Sequence, residues 1–375
     1  MLYVHIPFCK HLCAYCDFYF SVSLQRKEQM FRALLREMEG RIPTYNQQTL
    51  GLNTLYFGGG TPSALTPSEL SQLIEKAKKL LNVNSFLELT VEVNPDDISS
   101  EYVTQLREIG VDRLSIGVQS FRDEQLKILR RRHSAKQAME SVEKAQAAGF
   151  TNITIDLMYG LPEQTMSDWQ QDVEQALALG VPHISAYLLT IEPNTIFGKQ
   201  QAKNLLSLPS EEMCEAQFLY LHDRLEQAGY EHYEVSNFAQ KNFRAKHNSG
   251  YWKGFSYLGI GPSAHSFDGE NRHYNIANNI RYLAAVENNL PTFESEKISK
   301  ETRFNEYLLV SLRTVEGANL QYIHSTFGES FAEHCLQQAQ PYLCSGKLIK
   351  TNHQLHISPR QFLLSDSIIR DLFWV

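Results

Sequence analysis

Three cysteines lie close together in HIPFCKHLCAYCDFYF (5–20): Cys9, Cys13 and Cys16, spaced C-x3-C-x2-C. Thiolates select soft metals, so the choice is zinc, copper(I) or an iron–sulfur centre. A structural zinc site closes its tetrahedron with a fourth ligand, and His11 and Asp17 are the nearest candidates. His11 lies between Cys9 and Cys13, so a loop using all three would have to fold sharply. No second CxxC and no HxxxH pair exists elsewhere to complete such a site. The same spacing fits three corners of a [4Fe-4S] cube. One iron is then left without a protein ligand, open to a substrate or cofactor. The remaining cysteines, Cys214, Cys335 and Cys344, are scattered through helical patterns and read as small core hydrophobes.

Other chemistry-bearing residues follow short apolar runs. Gly58-Gly59-Gly60-Thr61-Pro62 is a glycine loop that lets backbone approach a ligand closely. It lacks the GK[ST] of a phosphate loop and is not GxGxxG. Glu92 and Asn94 close one run, Gln119 follows another, and Asp156 falls late in a third. Arg131 offers a fork suited to a carboxylate. Tyr15, inside the cysteine loop, can pack on a cofactor or simply on its neighbours.

The elements that must position these groups alternate. Candidate strands are 2–6, 53–57, 87–93, 113–118, 152–158 and 183–189; amphipathic stretches at 24–41, 66–81, 99–109, 134–148 and 167–179 lie between them. Such alternation predicts an α/β fold with a parallel sheet and right-handed crossovers. The ligand site is then at the C-terminal ends of the strands, where the polar motifs fall. A helix over 210–229 precedes aromatic-rich loops. From about 300, three helices (301–313, 319–327, 329–345), a hairpin-like alternation and a short final helix suggest a winged-helix-like α+β unit. The expected organisation is a barrel domain over 1–235, a connecting region over 236–299 and a small domain over 300–375.

Of 375 residues 43% are hydrophobic and 21% charged, ordinary for a globular chain. The net charge of −7 gives no reason to expect nucleic acid as a partner. Residues 300–375 carry seven Lys/Arg and seven Asp/Glu, so the winged unit is not basic either. No signal peptide and no membrane span is read, and a reducing cytoplasmic setting is expected, in which clustered cysteines are more often metal ligands than disulfides.

A cysteine triad after the first strand and a glycine loop after the second resemble the radical S-adenosylmethionine (SAM) superfamily. The resemblance implies a partial (β/α)6 barrel, a [4Fe-4S] cluster on Cys9, Cys13 and Cys16, and SAM at the fourth position of the open iron. It also implies SAM contacts at Tyr3, Gly59, Gly60, Thr61, Glu92, Gln119, Arg131 and Asp156. YVHIPFC, YFGGGTP, GVQSF and DLMYGLP together look like the oxygen-independent coproporphyrinogen III oxidase family, over essentially the whole chain. That activity, radical oxidative decarboxylation in porphyrin biosynthesis, is the alternative reading. Two features depart from it. The oxidase pattern continues to a fourth cysteine where Phe18 stands here, and it carries an extension before the first strand. Both are expected of the sister branch of haem chaperones, which deliver haem to respiratory proteins and for which transient contact with membrane proteins is implied. That branch shares the motif His247-Asn248-Ser249-Gly250-Tyr251-Trp252, which makes His247 the expected haem ligand; His232, His265 and His273 are lesser candidates.

Overall fold

A computed structural model describes residues 1–45 and 52–375. The six apolar runs form six parallel strands, neighbours in chain order: β1 (Leu2–Ile6), β2 (Thr54–Gly59), β3 (Glu88–Val93), β4 (Arg113–Gln119), β5 (Asn152–Tyr159) and β6 (His183–Leu188). Helices Lys27–Arg41, Pro67–Leu81, Ser100–Glu108, Ala135–Ala147 and Met166–Ala178 return the chain between them. Three of these start on reciprocal caps. Thr66, Ser134 and Thr165 accept from the N3 backbone while Glu69, Gln137 and Asp168 bond back. The first helix begins at Lys27, later than expected, because Arg26 supplies no side-chain cap and a turn bond from Lys27 N–H to Leu24 O precedes it.

The sheet grows at both edges. β7 (Glu231–Glu234) and β8 (Asn237–Ala239) lie antiparallel beyond β6, and β9 (Leu258–Ile260) pairs parallel with β1, giving the order β7-β8-β6-β5-β4-β3-β2-β1-β9. The boundary expected between 235 and 236 thus falls in the turn joining β7 and β8. Further strands β10 (His265–Phe267), β11 (Asn271–Asn275) and β12 (Phe293–Lys297) make a separate antiparallel sheet. It is anchored to the first helix through buried Glu37, which accepts from Tyr282 Oη (2.6 Å), Thr292 Oγ1 (2.7 Å) and the Gly261 N–H (2.7 Å).

Parallel strands covered on both faces usually read as unbroken apolar runs. These alternate. Leu2, Val4, Ile6, Leu55, Phe57, Val91, Ile116 and Ile155 belong to the hydrophobic core. The residues between them, on the opposite face, are polar: Tyr3, His5, Tyr56, Glu92, Arg113 and Asp156. They bond one another, as when Tyr56 Oη donates to Glu92 Oε1 at 2.7 Å and Arg113 donates to Thr154. A polar inner face is what a barrel needs if its lumen is to hold a polar ligand.

The segment expected as aromatic loop contains a short helix, Lys246–Trp252. It has no local side-chain cap. Its first free N–H groups, those of Lys246 and His247, instead donate to the carboxylate of Glu88 on β3, each at 2.9 Å. A cap supplied from 158 residues away leaves no signal in the local sequence.

The C-terminal unit has helices Lys300–Ser311, Leu320–Phe327 and Glu329–Cys344, a sheet of β13 (Ala318–Asn319), β14 (Ile349–Thr351) and β15 (Gln354–His356), and a final helix Ser365–Asp371. Within this unit the strand missed, β13, is two residues long, too short to show a period. The reading of three cysteines as core needs correction. Cys335 is buried and Cys214 half-buried, but Cys344 is exposed, because it ends its helix on the solvent side. Among the described residues no helix is long and apolar enough to cross a membrane.

Candidate functional site

The loop from Pro7 to Ser21 is pinned at both ends and in the middle. Cys9 N–H donates to Ser21 O (3.0 Å) and Ser21 N–H to Pro7 O (2.9 Å), closing its base. Ala14 N–H donates to Leu129 O (3.0 Å), and Phe197 N–H donates to Ala14 O (2.9 Å). Lys10 forms an ion pair with Asp97, which also accepts from Ser63 Oγ (2.7 Å). The cysteine loop is therefore tied to the segments that follow β3, β4 and β6.

One chain of contacts joins the cysteines to the glycine loop. Thr61 Oγ1 donates to Cys9 Sγ (3.4 Å) and accepts from Asn94 Nδ2 (2.9 Å). Asn94 Oδ1 accepts from Arg131 Nη2 (2.6 Å), which also reaches Gly117 O (2.6 Å). Arg131 Nη1 lies 3.6 Å from Cys13 Sγ. The sequence singled out Thr61 and Arg131; Asn94, the link between them, was noted only as a polar strand end. Burial pushes the Cys9 thiol up to about 12 and the Cys16 thiol up to about 11. Both stay protonated until a cationic centre displaces the protons.

These residues fit an iron–sulfur cube better than zinc. His11 and Asp17 are exposed, and among the described residues no three His, Cys, Asp or Glu side chains gather as a single ion requires. Ligands of a cube each take a different iron and need no such convergence. Gly60 explains the close loop contact: a Cβ there would fall 2.6 Å from Phe8 O, in the cysteine loop itself. At Gly59, φ is +114° and a Cβ would strike the His5 ring. Gln119 also takes a left-handed conformation, φ +70°, at the end of β4, where the pairing with β5 shifts register.

Glu92 and Asp156 face the lumen from β3 and β5. Burial raises Glu92 to about 7, and Asp156 to about 6 against the pull of Arg113. Tyr3 Oη bonds His5 Nδ1 (3.1 Å), and His5 Nε2 donates to Tyr19 O (2.8 Å), so β1 reaches the tail of the cysteine loop. Neither His5 nor Tyr56 was singled out from sequence. Their signal was the polar side of the period-two alternation. Tyr15 is packed beside Arg131 and Cys13.

His247 lies elsewhere. It is 1% exposed, at the opposite end of the lumen. Its Nδ1 bonds Thr54 Oγ1 (2.8 Å), its Nε2 bonds Tyr251 Oη (3.0 Å), and its ring packs on Tyr56 at 5.0 Å. In this conformation neither nitrogen is open to an iron. His232 is equally buried, stacked on Phe238 at 3.9 Å, with Nδ1 against His222. His273 bonds Ser295 and faces Asp268. His265 is exposed. Tyr251 and Trp252 line a cavity of about 1500 Å³ between the Lys246–Trp252 helix and the C-terminal unit. Tyr251 and Tyr257 also wall a second one, of about 380 Å³, beside Tyr3, His5 and the cysteine loop.

Known proteins resemble this chain in sequence and in fold. Residues 3–176 match the Radical SAM superfamily and residues 298–364 the HemN C-terminal domain. The chain is similar to the heme chaperone HemW of Lactococcus lactis subsp. lactis, 36% identical over 98% of this chain and 95% of that protein. It is likewise 36% identical to HemW of Bacillus subtilis, over 88% and 87%. Among solved structures, coproporphyrinogen III oxidase of Escherichia coli superposes with a TM-score of 0.85 at 25% identity, covering 99% of this chain and 89% of that one.

Proposed function

Since the chain belongs to the radical SAM superfamily and, within it, to the HemW haem chaperones, we infer that it carries a [4Fe-4S] cluster and SAM and holds haem as cargo for delivery. Cys9, Cys13 and Cys16 would hold the cluster. When bound, the cluster can donate one electron to SAM and generate a 5′-deoxyadenosyl radical. Thr61 and Arg131 place donors beside Cys9 and Cys13 that can hydrogen-bond the sulfurs of a bound cluster. Gly59, Gly60 and Thr61 would let the backbone approach SAM closely. Glu92 and Asp156 supply carboxylates for an ammonium or for ribose hydroxyls, and Arg131 a cation for a carboxylate. Tyr3 and Gln119 complete the wall. The haem acceptor would be a respiratory protein, met in the cytoplasm or transiently at a membrane, a reducing setting that suits free thiols.

The observation that carries this reading is the unbroken contact chain Cys9–Thr61–Asn94–Arg131–Cys13, which makes cysteine loop and lumen one unit. The test is anaerobic reconstitution followed by haem titration with and without SAM, reading haem spectrum and 5′-deoxyadenosine together. The likeness to the oxidase supports a second reading. It expects reconstituted protein with SAM and a reductant to convert coproporphyrinogen III to protoporphyrinogen with release of carbon dioxide. Phe18, 74% exposed, stands where the oxidase pattern has cysteine, and we expect no turnover.

A further inference from the structure

A haem ligand needs an imidazole nitrogen whose lone pair is not already used, next to apolar or aromatic surface for the macrocycle. The thirteen histidines separate on a free nitrogen, on exposure and on place beside a cavity. His5, His222, His247 and His273 have both ring nitrogens against protein groups. His133, His183 and His232 are at most 3% exposed, and His334 bonds Phe373 O. His11, His324, His353 and His356 wall neither of the two cavities described above. His265 does. It sits on the rim of the smaller cavity with Tyr3, Tyr257 and Phe18, its ring makes no hydrogen bond among the described residues, and its one ring contact is edge-on to Tyr274 at 4.9 Å.

We propose that His265, on β10, is the axial ligand of haem bound at the aromatic rim beside the cysteine loop. This rests on the reading of haem as cargo and deepens it. The position of the ring follows from its neighbour. Ser266 is fully buried, bonded to the Gly259 N–H (2.9 Å) and by Arg41 Nη2 (3.0 Å), so alternation along β10 turns His265 outward. Gly259 lies so close to the His265 carbonyl that no side chain fits between, which fixes β10 against β9. Phe18, Tyr257 and Tyr251 supply flat faces for a macrocycle. Arg272 lies near both His265 and Tyr257 but is ion-paired with Glu306 at 2.7 Å and lines the larger cavity, so it is not counted among the haem contacts. Partial burial and Arg272 keep the imidazole in its neutral, ligating form. Because His5 shares this cavity and bonds Tyr19, haem here would sit on the cluster side of the barrel, not behind Tyr251.

The experiment uses full-length reconstituted protein titrated with ferric haem and read by electron paramagnetic resonance, in which the oxidised cluster is silent. Wild type is expected to give a histidine-ligated haem signal. His265→Ala should lose that signal and bind haem at least about tenfold more weakly, with iron–sulfur content unchanged. His265→Gly supplied with free imidazole should regain the signal, which a merely structural role would not allow. His273→Ala, on the adjoining strand, should match wild type. If His265→Ala keeps the wild-type signal, or if His247→Gln alone abolishes it, the assignment to His265 is overturned while haem as cargo stands. If wild type gives no histidine-ligated signal at all, haem as cargo falls as well.

Discussion

The two ends of the lumen use the same residue types and treat them oppositely. At the plugged end, His247, Tyr251, Thr54 and Glu88 satisfy one another: the histidine has two partners and the carboxylate caps a helix. At the open end, Glu92 and Asp156 are held as acids near neutrality, Gln119 sits in a left-handed conformation, and Arg131 Nε is buried without a partner. A site built to be filled from within the chain closes its hydrogen bonds. One built for something else leaves a group such as Arg131 Nε without a partner. The comparison moves attention from the motif that carries a histidine to the histidine that has nothing to do.

The open end breaks most completely at its thiols. Cys13→Ala should abolish the iron–sulfur absorbance of anaerobically reconstituted protein, since each cysteine is one of only three ligands, whereas Cys344→Ala should leave iron content unchanged. A full cluster in Cys13→Ala would remove the basis for the cluster assignment. Gly60→Val comes next. A glycine loop that met only SAM would let this variant keep the cluster and weaken SAM binding. The structure puts a Cβ at Gly60 against Phe8 O, so the substitution should displace the cysteine loop and lower cluster occupancy as well, measured as iron per chain. Normal iron with weakened SAM affinity would return the effect to the ligand alone.

The plugged end should fail as a structure. Glu88 is 2% exposed and accepts two backbone N–H groups, so Glu88→Ala leaves two buried donors unpaired and should cost about 2–4 kcal/mol of unfolding free energy. Denaturant unfolding of Glu88→Ala and Glu88→Gln measures it, the glutamine retaining one acceptor and losing less. A loss below about 0.5 kcal/mol, the range of ordinary surface substitutions, would mean that the helix is not held from β3.

How much of this was legible follows the range of the signals. The six strands and their crossover helices were readable because period-two and period-3.6 patterns and caps such as Thr66–Glu69 are local. The open end was readable too, since strand ends collect its residues and the family motifs mark them. The plug was not. Lys246–Trp252 is short, is capped by Glu88 across the sheet, and carries a histidine whose partners, Thr54 and Tyr251, make it a core residue. Nor could alternation alone turn His265 outward; that depends on Ser266 finding Gly259 and Arg41.

The finest test of the contrast is the pH dependence of SAM binding. Glu92 titrates at about 7 and Asp156 at about 6, both raised from their ordinary values by burial. Raised carboxylate values mean that the folded protein binds protons more tightly than the unfolded chain does, so these two groups lower stability as pH climbs from about 4 to 7. A cationic ligand at the open end reverses the preference by favouring the ionised form, and must expel a proton wherever Glu92 is still protonated. SAM affinity should therefore rise with pH, by about tenfold between pH 6 and 8 if Glu92 alone contributes, and level off above. Glu92→Gln removes the proton to be expelled and should flatten that slope while weakening binding at pH 8, where wild type is ionised. Calorimetry in buffers of different ionisation enthalpy counts the released proton directly. A flat profile in wild type, or an unchanged slope in Glu92→Gln, would mean that the acids are spectators. The open end would then be as self-contained as the plugged one.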